Sequence, residues 1–417
     1  MSRRHERGLG TLAMCAILLA ILALGAAWAA RQLSTAQRVA ANDLRAAMAA
    51  EAAESGLAWA LAMLNTGRID DQCRPAFGPA GSVPEAGSST TSNDAADANV
   101  DARTNTSTAG RADRPGSAAM DFRNRFLQVA QDGHYRVLTT GGTSAATSAP
   151  EGSPGTGGGT AEASSTWQAA CANTGALRWA CRCQPGALPG PAVDPSAAPA
   201  QAQPLFTVRL TDTATPGQLR LLVRGCSDRA PDCDRGDDGP IGVAEVSQHL
   251  ALLSALRLPP PTALVEGPGA FMRTFGYPPA RYRSQPAITR LRCTSDCRQA
   301  LATALARGRR LLWIDGDARL SDLPVEAVDG SPLVLIVDGR LDLAVSTPLL
   351  GVLYARDGVS WHPPAGAPAS IRGAIVTDGI LDRGRSVELI HDPALLRGIS
   401  RRMGSFLPVP GGWTPTR

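Results

Sequence analysis

Residues Leu9–Asn65 read LGTLAMCAILLAILALGAAWAARQLSTAQRVAANDLRAAMAAEAAESGLAWALAMLN, and this stretch decides how the rest of the chain is organised. Its first part, Leu9–Ala30, contains no charged residue. At about 1.5 Å per residue it reaches roughly 33 Å, the thickness of one bilayer core. Arg3, Arg4 and Arg7 precede it, and Arg31 and Arg38 follow it. The basic leader predicts a cytoplasmic N-terminus and translocation of everything after Ala30, because a long domain crosses largely regardless of its own charge.

From Arg31 to Asn65 there is no proline, and Ala, Leu, Arg, Glu, Gln and Met dominate. These are good helix formers, so the helix is expected to run on past the membrane. Leu33, Ala36, Ala40, Leu44, Ala47, Leu57, Leu61 and Leu64 approximate an apolar stripe, with Arg38, Asn42, Arg45 and Glu54 off it. Asn65-Thr66-Gly67 supplies a C-terminal stop. A rod on the order of 85 Å long exceeds what one small core covers and calls for lateral partners. Ala27-Trp28-Ala29 mimics a signal-peptidase site. Cleavage there is the competing reading, against a run longer than a usual signal core and helical patterning that continues through the cut.

Beyond the helix, hydrophobic residues make up 44% of the 417 but aromatics only 4%, so cores of Ala, Val and Leu are expected. All 41 basic residues are Arg, and the net charge of +4 does not point to a nucleic-acid binder. Of nine cysteines, Cys15 lies in the apolar run. The others, Cys73, Cys171, Cys181, Cys183, Cys226, Cys233, Cys293 and Cys297, fall on the translocated side, where disulfides persist. Their pairing is open except for two local candidates, Cys226 with Cys233 and Cys293 with Cys297. Zinc is the competing reading, but no His lies near either pair.

Residues 68–120 and 140–165 have too few large apolar groups to offset chain entropy, while 121–139 regains order around an Asp-Gly turn. Trp167–Cys183 forms a cysteine-bearing patch, followed by a Pro/Ala linker over 184–203. Leu205-Phe-Thr-Val-Arg-Leu and Leu219-Arg-Leu-Leu-Val-Arg read as a hairpin around Thr215-Pro-Gly, and 242–253 as a third strand. In the acidic loop between the second and third strands, Asp232, Asp234, Asp237 and Asp238 are a weak Ca²⁺ candidate set. A solvated loop is the simpler reading, since the closing Glu of an EF-hand is missing.

In the last third, apolar strands end in Asp-Gly at Asp315-Gly316, Asp338-Gly339, Asp357-Gly358 and Asp378-Gly379, with spacings of 23, 19 and 21. That period fits either coils of a β-solenoid or a β-meander with Asp-Gly turns. The same carboxylates invite an acid–base reading of the glycosidase kind, but Asp before Gly is a turn preference in its own right. Zinc-hydrolase, nucleophile-elbow and phosphate-loop motifs are absent. No catalytic residue, cofactor or metal is therefore expected.

Arg7-Gly8 before a long apolar run, followed by QRVAANDLRAAMAAEAAESGLAWAL over 37–61, resembles the N-terminal domain of PilX-type minor pilins of type IV pili. The resemblance covers about a seventh of the chain. IRGAIVTDG at 371–379 and the ending Pro408-Val-Pro-Gly-Gly-Trp413 also resemble C-terminal regions of large members of that family, less specifically. It implies prepilin-peptidase cleavage between Gly8 and Leu9, packing of the apolar helix with other minor pilins and the major pilin, and a β-rich head held first at the inner membrane and then on the pilus. Ala13 occupies the fifth mature position, where many pilins carry Glu. Some minor pilins of this type and one type II secretion pseudopilin are similar in lacking it.

The expected fold class is α+β: a long N-terminal membrane-spanning helix, then a β-rich head. The organisation runs as leader 1–8, transmembrane helix 9–30, amphipathic extension 31–67, insertion region 68–203, pilin-like sheet 204–260 and C-terminal repeat domain 261–417. The expected function is that of a non-catalytic structural subunit for pilus assembly, priming or tip presentation. A type II secretion pseudopilin at the piston tip and a membrane-anchored periplasmic carbohydrate-binding or carbohydrate-cleaving solenoid stand as alternatives.

Overall fold

The computed structural model describes residues 7–70, 73–74, 120–140, 165–166, 168–173, 179–183, 203–228, 241–293, 296–321, 330–364 and 367–416. One helix, Arg7–Leu64, takes up 58 residues without a break. At about 1.5 Å per residue it is roughly 87 Å long. It is long and apolar enough to cross a membrane, and the most apolar window along it is buried by nothing else in the chain.

The second half of the helix lies on a six-stranded antiparallel sheet, in the order Gly404–Thr416, Val243–Ser254, Gln218–Cys226, Leu205–Asp212, Gln168–Asn173, Trp179–Arg182. The face it buries coincides with the apolar stripe only toward the helix end. Ala49, Ala52, Ala53, Gly56 and Ala60 meet the sheet, whereas Leu33, Ala36, Ala40, Leu44 and Ala47 are exposed. Proximity is the reason. A Cβ on Gly225 of the central strand would sit 2.5 Å from the Ala53 nitrogen, and one on Gly56 would sit 2.6 Å from Val223. Only small residues allow helix and sheet backbones to come this close. Toward the helix end, Leu57 and Leu61 are half-buried and Leu64 is buried, so that part of the stripe does face the core.

Three of the six strands follow from alternation, but the other three come from outside the expected 204–260 unit. Gln168–Asn173 reads QAACAN, with none of the β-branched residues that mark strands. It is held by pairing to Leu205–Asp212 and by a disulfide between directly opposed Cys171 and Cys181. A second bridge, Cys73–Cys183, ties the chain after the helix to the outer strand. Gly404–Thr416 carries Pro408, Pro410 and Pro415, yet it is a strand because it lies at the sheet edge, with a register shift opposite Gln248–Leu250.

The C-terminal repeats pair in parallel, which rules out a meander and gives a β-solenoid-like stack. Leu311–Asp315, Leu333–Asp338, Leu349–Ala355 and Ala369–Thr377 are successive neighbours in a seven-stranded sheet. Ala318–Ser321, Leu341–Ala344, Val359–Trp361 and Leu381–Arg383 form a second, four-stranded parallel sheet. Each Asp-Gly is thus the corner between two strands of one coil. Between the sheets pack Ile314, Leu335, Val337, Leu343, Leu353 and Trp361. The other face of the larger sheet, with Trp313, Ile336, Tyr354 and Val376, is covered by Phe271, Phe275, Tyr282 and the helix Pro393–Arg402. Burial on both faces explains why these strands read as unbroken apolar runs rather than alternating ones. Gly351 and Gly373 stack in register at φ of 133° and 142°, and a Cβ on Gly373 would collide with the Gly351 carbonyl.

Candidate functional site

Two features of the helix carry its functional potential: a bare apolar surface along its length and a dense set of contacts at its end. The bare surface runs from Leu12 to Leu44 and includes Ile17, Leu22, Trp28, Leu33 and Val39. Leu33 and Leu44 are 61% and 63% exposed. The sheet begins to cover the helix only near Ala41, so this surface faces outward on every side before that point.

At the other end, half-buried Arg123 gathers three parts of the chain. Asp121 caps the short helix Phe122–Phe126 through the Arg123 backbone N–H, and this sets the Arg123 side chain under the end of the long helix. Its guanidinium donates to the carbonyls of Leu64, Arg402 and Gly404 and to Asn65 Oδ1, and lies 4.8 Å from the Phe406 ring centroid. Leu64 and Arg402 are the last residues of two helices, whose terminal carbonyls are electronegative and attract a cation. Burial still pushes the Arg123 pKa down and the Asp121 pKa up. Asn65 closes the junction: its Oδ1 accepts from the Phe406 N–H at 2.9 Å, and its Nδ2 donates to the Phe406 carbonyl at 3.0 Å. On the solenoid side Arg309 Nη1 donates to the Asn65 carbonyl at 3.0 Å, and the Arg68 N–H to the Arg307 carbonyl at 3.0 Å.

No family model, curated protein or solved structure matches the chain.

Gly8 and Leu9 fall in the first turn of the long helix. Cys293 and Cys297 are bonded to each other, with Cα atoms 5.1 Å apart. Cys226 is disulfide-bonded, while Cys233 and the acidic set Asp232, Asp234, Asp237 and Asp238 lie outside the described residues. Among the described residues, no group of three or more His, Cys, Asp or Glu is placed to hold a metal ion.

The corner aspartates are occupied as structural acceptors. Asp315 takes Arg290 and the Trp313 indole N–H, and Arg290 holds its pKa below the ordinary value. Asp357 is held down in the same way by Arg356, which also reaches Asp338 at 2.9 Å. Asp378 accepts from the Phe271 N–H and the Tyr354 hydroxyl. A general acid needs a raised pKa, the opposite of what Asp315 and Asp357 have.

One constellation escaped the sequence reading because its members sit on different coils. Ser360 Oγ is 3.2 Å from His362 Nδ1, and His362 Nε2 is 3.8 Å from Asp382. The second distance is beyond hydrogen-bond reach, and both His362 and Asp382 are more than half exposed, so the carboxylate does not orient the imidazole as a catalytic triad requires. The sequence carries no local signal of it, because Asp382 is brought opposite Ser360 only by the parallel pairing of successive coils.

Proposed function

We propose that this chain is a minor pilin of a type IV pilus, a structural subunit for assembly, priming or tip presentation. The observation that carries this reading is apolar helix surface beyond the reach of a bilayer. Leu44 lies 14 residues past Ala30, or about 21 Å further along the helix. Leu33, Val39 and Leu44 are nonetheless uncovered. A membrane anchor alone has no use for apolar residues there, whereas a helix that leaves the bilayer and packs among other helices buries them. The disulfides Cys73–Cys183, Cys171–Cys181 and Cys293–Cys297 support an oxidising compartment for the head, with only the short basic leader in the cytoplasm.

Partners on this reading are the other minor pilins and the major pilin along the helix, prepilin peptidase at Gly8–Leu9, and the inner membrane before assembly. The type II secretion alternative is disfavoured by a head whose largest addition is a parallel β stack, where that family's tip subunit carries a largely helical insertion. Deleting the gene tests the proposal. Loss of surface pili and twitching, restored by the intact gene, is the expected result; unchanged piliation with a specific secretion defect would move the subunit to the secretion system.

A further inference from the structure

The solenoid begins one coil earlier than its Asp-Gly corners indicate. Thr289–Leu291 pairs in parallel with Leu311–Asp315 in the larger sheet, and Asp296 bridges in parallel to Arg319 in the smaller one. Leu291 lies opposite Ile314 and Asp296 opposite Arg319, a step of 23 residues in both sheets and the same as from Asp315 to Asp338. Arg292 and Cys293 stand where the next coil has Asp315 and Gly316, so this leading corner has no Asp-Gly. The disulfide Cys293–Cys297 closes it instead.

The rung held by this bridge has few bonds of its own. The Cys297 N–H donates to the Arg319 carbonyl at 2.8 Å, and the Ser321 N–H to Asp296 Oδ1 at 3.4 Å. The helix that follows, Arg298–Ala306, is anchored separately by Leu301 and Leu305, which are buried in the core between the sheets. Opening the disulfide therefore frees the rung and leaves the helix in place.

The two sulfurs are unequal in a way that suits exchange. Cys293 is half-buried and Cys297 is buried, so an incoming thiolate reaches Cys293. Cys297 opens the helix, where backbone N–H groups stabilise the thiolate that leaves. The carboxylate of neighbouring Asp296 is already bound to the Arg298 and Ser321 N–H groups. The other two described bridges differ: Cys73 and Cys183 are both buried, and Cys171 and Cys181 join directly opposed strands. A separation of 4 residues, against 110 and 10, also makes Cys293–Cys297 the bridge that constrains the unfolded chain least.

We propose that Cys293–Cys297 is a thiol–disulfide exchange site for a protein dithiol, and that its reduction unlatches the leading coil of the solenoid. One thiolate of the dithiol bonds to Cys293 Sγ, the S–S bond breaks, and the electron pair leaves on Cys297 Sγ. The second thiolate then displaces Cys293 from the mixed disulfide. The partner is oxidised to its own disulfide and gives up two protons, and this chain is reduced to two thiols that take up two. The inference is independent of the filament reading, since it uses only the head.

Timed reduction of the full-length protein in detergent tests it, with dithiothreitol as the dithiol, acid quenching, alkylation and peptide mapping. Cys293–Cys297 should open on the order of tenfold faster than Cys73–Cys183 and Cys171–Cys181. Glutathione, a monothiol probe, should leave its adduct on Cys293. In protein reduced only at this bridge, amide protection at Cys297 and Ser321 should fall by about tenfold or more while that at Val337 is kept. Reduction no faster than at the other two bridges, an adduct on Cys297, or unchanged protection at Cys297 and Ser321 would overturn the proposal.

Discussion

The carboxamide of Asn65 pairs with both backbone polar groups of Phe406, 341 residues further along the chain. It acts as an added rung of the sheet, supplied by the residue that ends the long helix. Through it the helix is fixed to the last strand, and Arg123 and Arg309 lock the same junction from two other directions.

Asn65→Ala should accordingly be costly for a single amide. It removes two buried bonds and leaves the Phe406 N–H and carbonyl without partners, a loss of roughly 2 to 4 kcal/mol. Asn65→Asp keeps the acceptor and loses the donor, and should fall between. Denaturant unfolding followed by circular dichroism measures both; a change below about 0.5 kcal/mol for the alanine variant, the range of ordinary surface substitutions, would mean the junction is held elsewhere.

The hairpin Leu127–Val137 has a pH dependence of its own. His134 bonds the Ala214 carbonyl at 3.1 Å and sits 3.0 Å from Asp132, and these raise its pKa, the carbonyl foremost. Asp132 is lowered, first by the His134 N–H. The His134 contribution is fully present below its ordinary value of 6.5 and is lost as pH rises through the higher folded value. The Asp132 contribution is present above 3.8 and is lost as pH falls through its lower folded value. Protection factors at Gly133 and His134, the exchange rates corrected for their intrinsic pH dependence, should therefore be highest between those limits and fall above neutrality. His134→Gln should abolish the alkaline limb; an identical profile in that variant would contradict the assignment.

Cys73–Cys183 closes a loop of 110 residues, and loss of so long a constraint costs on the order of 4 to 5 kcal/mol in the chain-entropy account. The double variant Cys73→Ser/Cys183→Ser should be distinctly less stable than wild type without reductant and no less stable with it. Peptide mapping without reduction should recover this bridge with Cys171–Cys181 and Cys293–Cys297, and should link Cys226 to Cys233; free thiols at Cys73 and Cys183 would contradict the fold as described.

How much of this was legible in the sequence depended on whether the deciding contact was local. The helix announced itself through composition, and the solenoid through Asp-Gly corners and apolar runs such as LVLIVD. Pairing direction stayed open because Asp-Gly suits a hairpin and a corner equally. The helix face that meets the sheet was not legible, since hydrophobicity picks out Leu33 and Leu44, while the sheet selects for small size at Ala49, Ala53 and Gly56. Gln168–Asn173 and Gly404–Thr416 lack strand signals and are recruited by a disulfide and by a free sheet edge. Arg123 looked like one arginine among 41. Its role appears only when residues 64, 402 and 404 are brought together.

The exposed helix face yields a functional prediction separable from stability. Leu33→Arg and Leu44→Arg alter side chains that touch nothing in the head, so unfolding should shift by less than about 0.5 kcal/mol. If this chain is a pilin, a charge placed where other helices would pack should still exclude the subunit from filaments. Immunoblots of sheared pili against whole cells make the comparison; normal recovery of both variants in the pilus fraction would show that this face is not an assembly surface.

The central claim, that the helix is made to enter a filament, is tested most directly by N-terminal sequencing of the protein recovered from cells. Arg3, Arg4 and Arg7 are costly to carry into an apolar core, so the account predicts cleavage after Gly8 and a mature chain beginning at Leu9 with the helix intact. A chain still beginning at Met1 or Ser2 would contradict it in favour of a permanent anchor, and a start near Ala30 or Arg31 would contradict it by removing the apolar helix altogether.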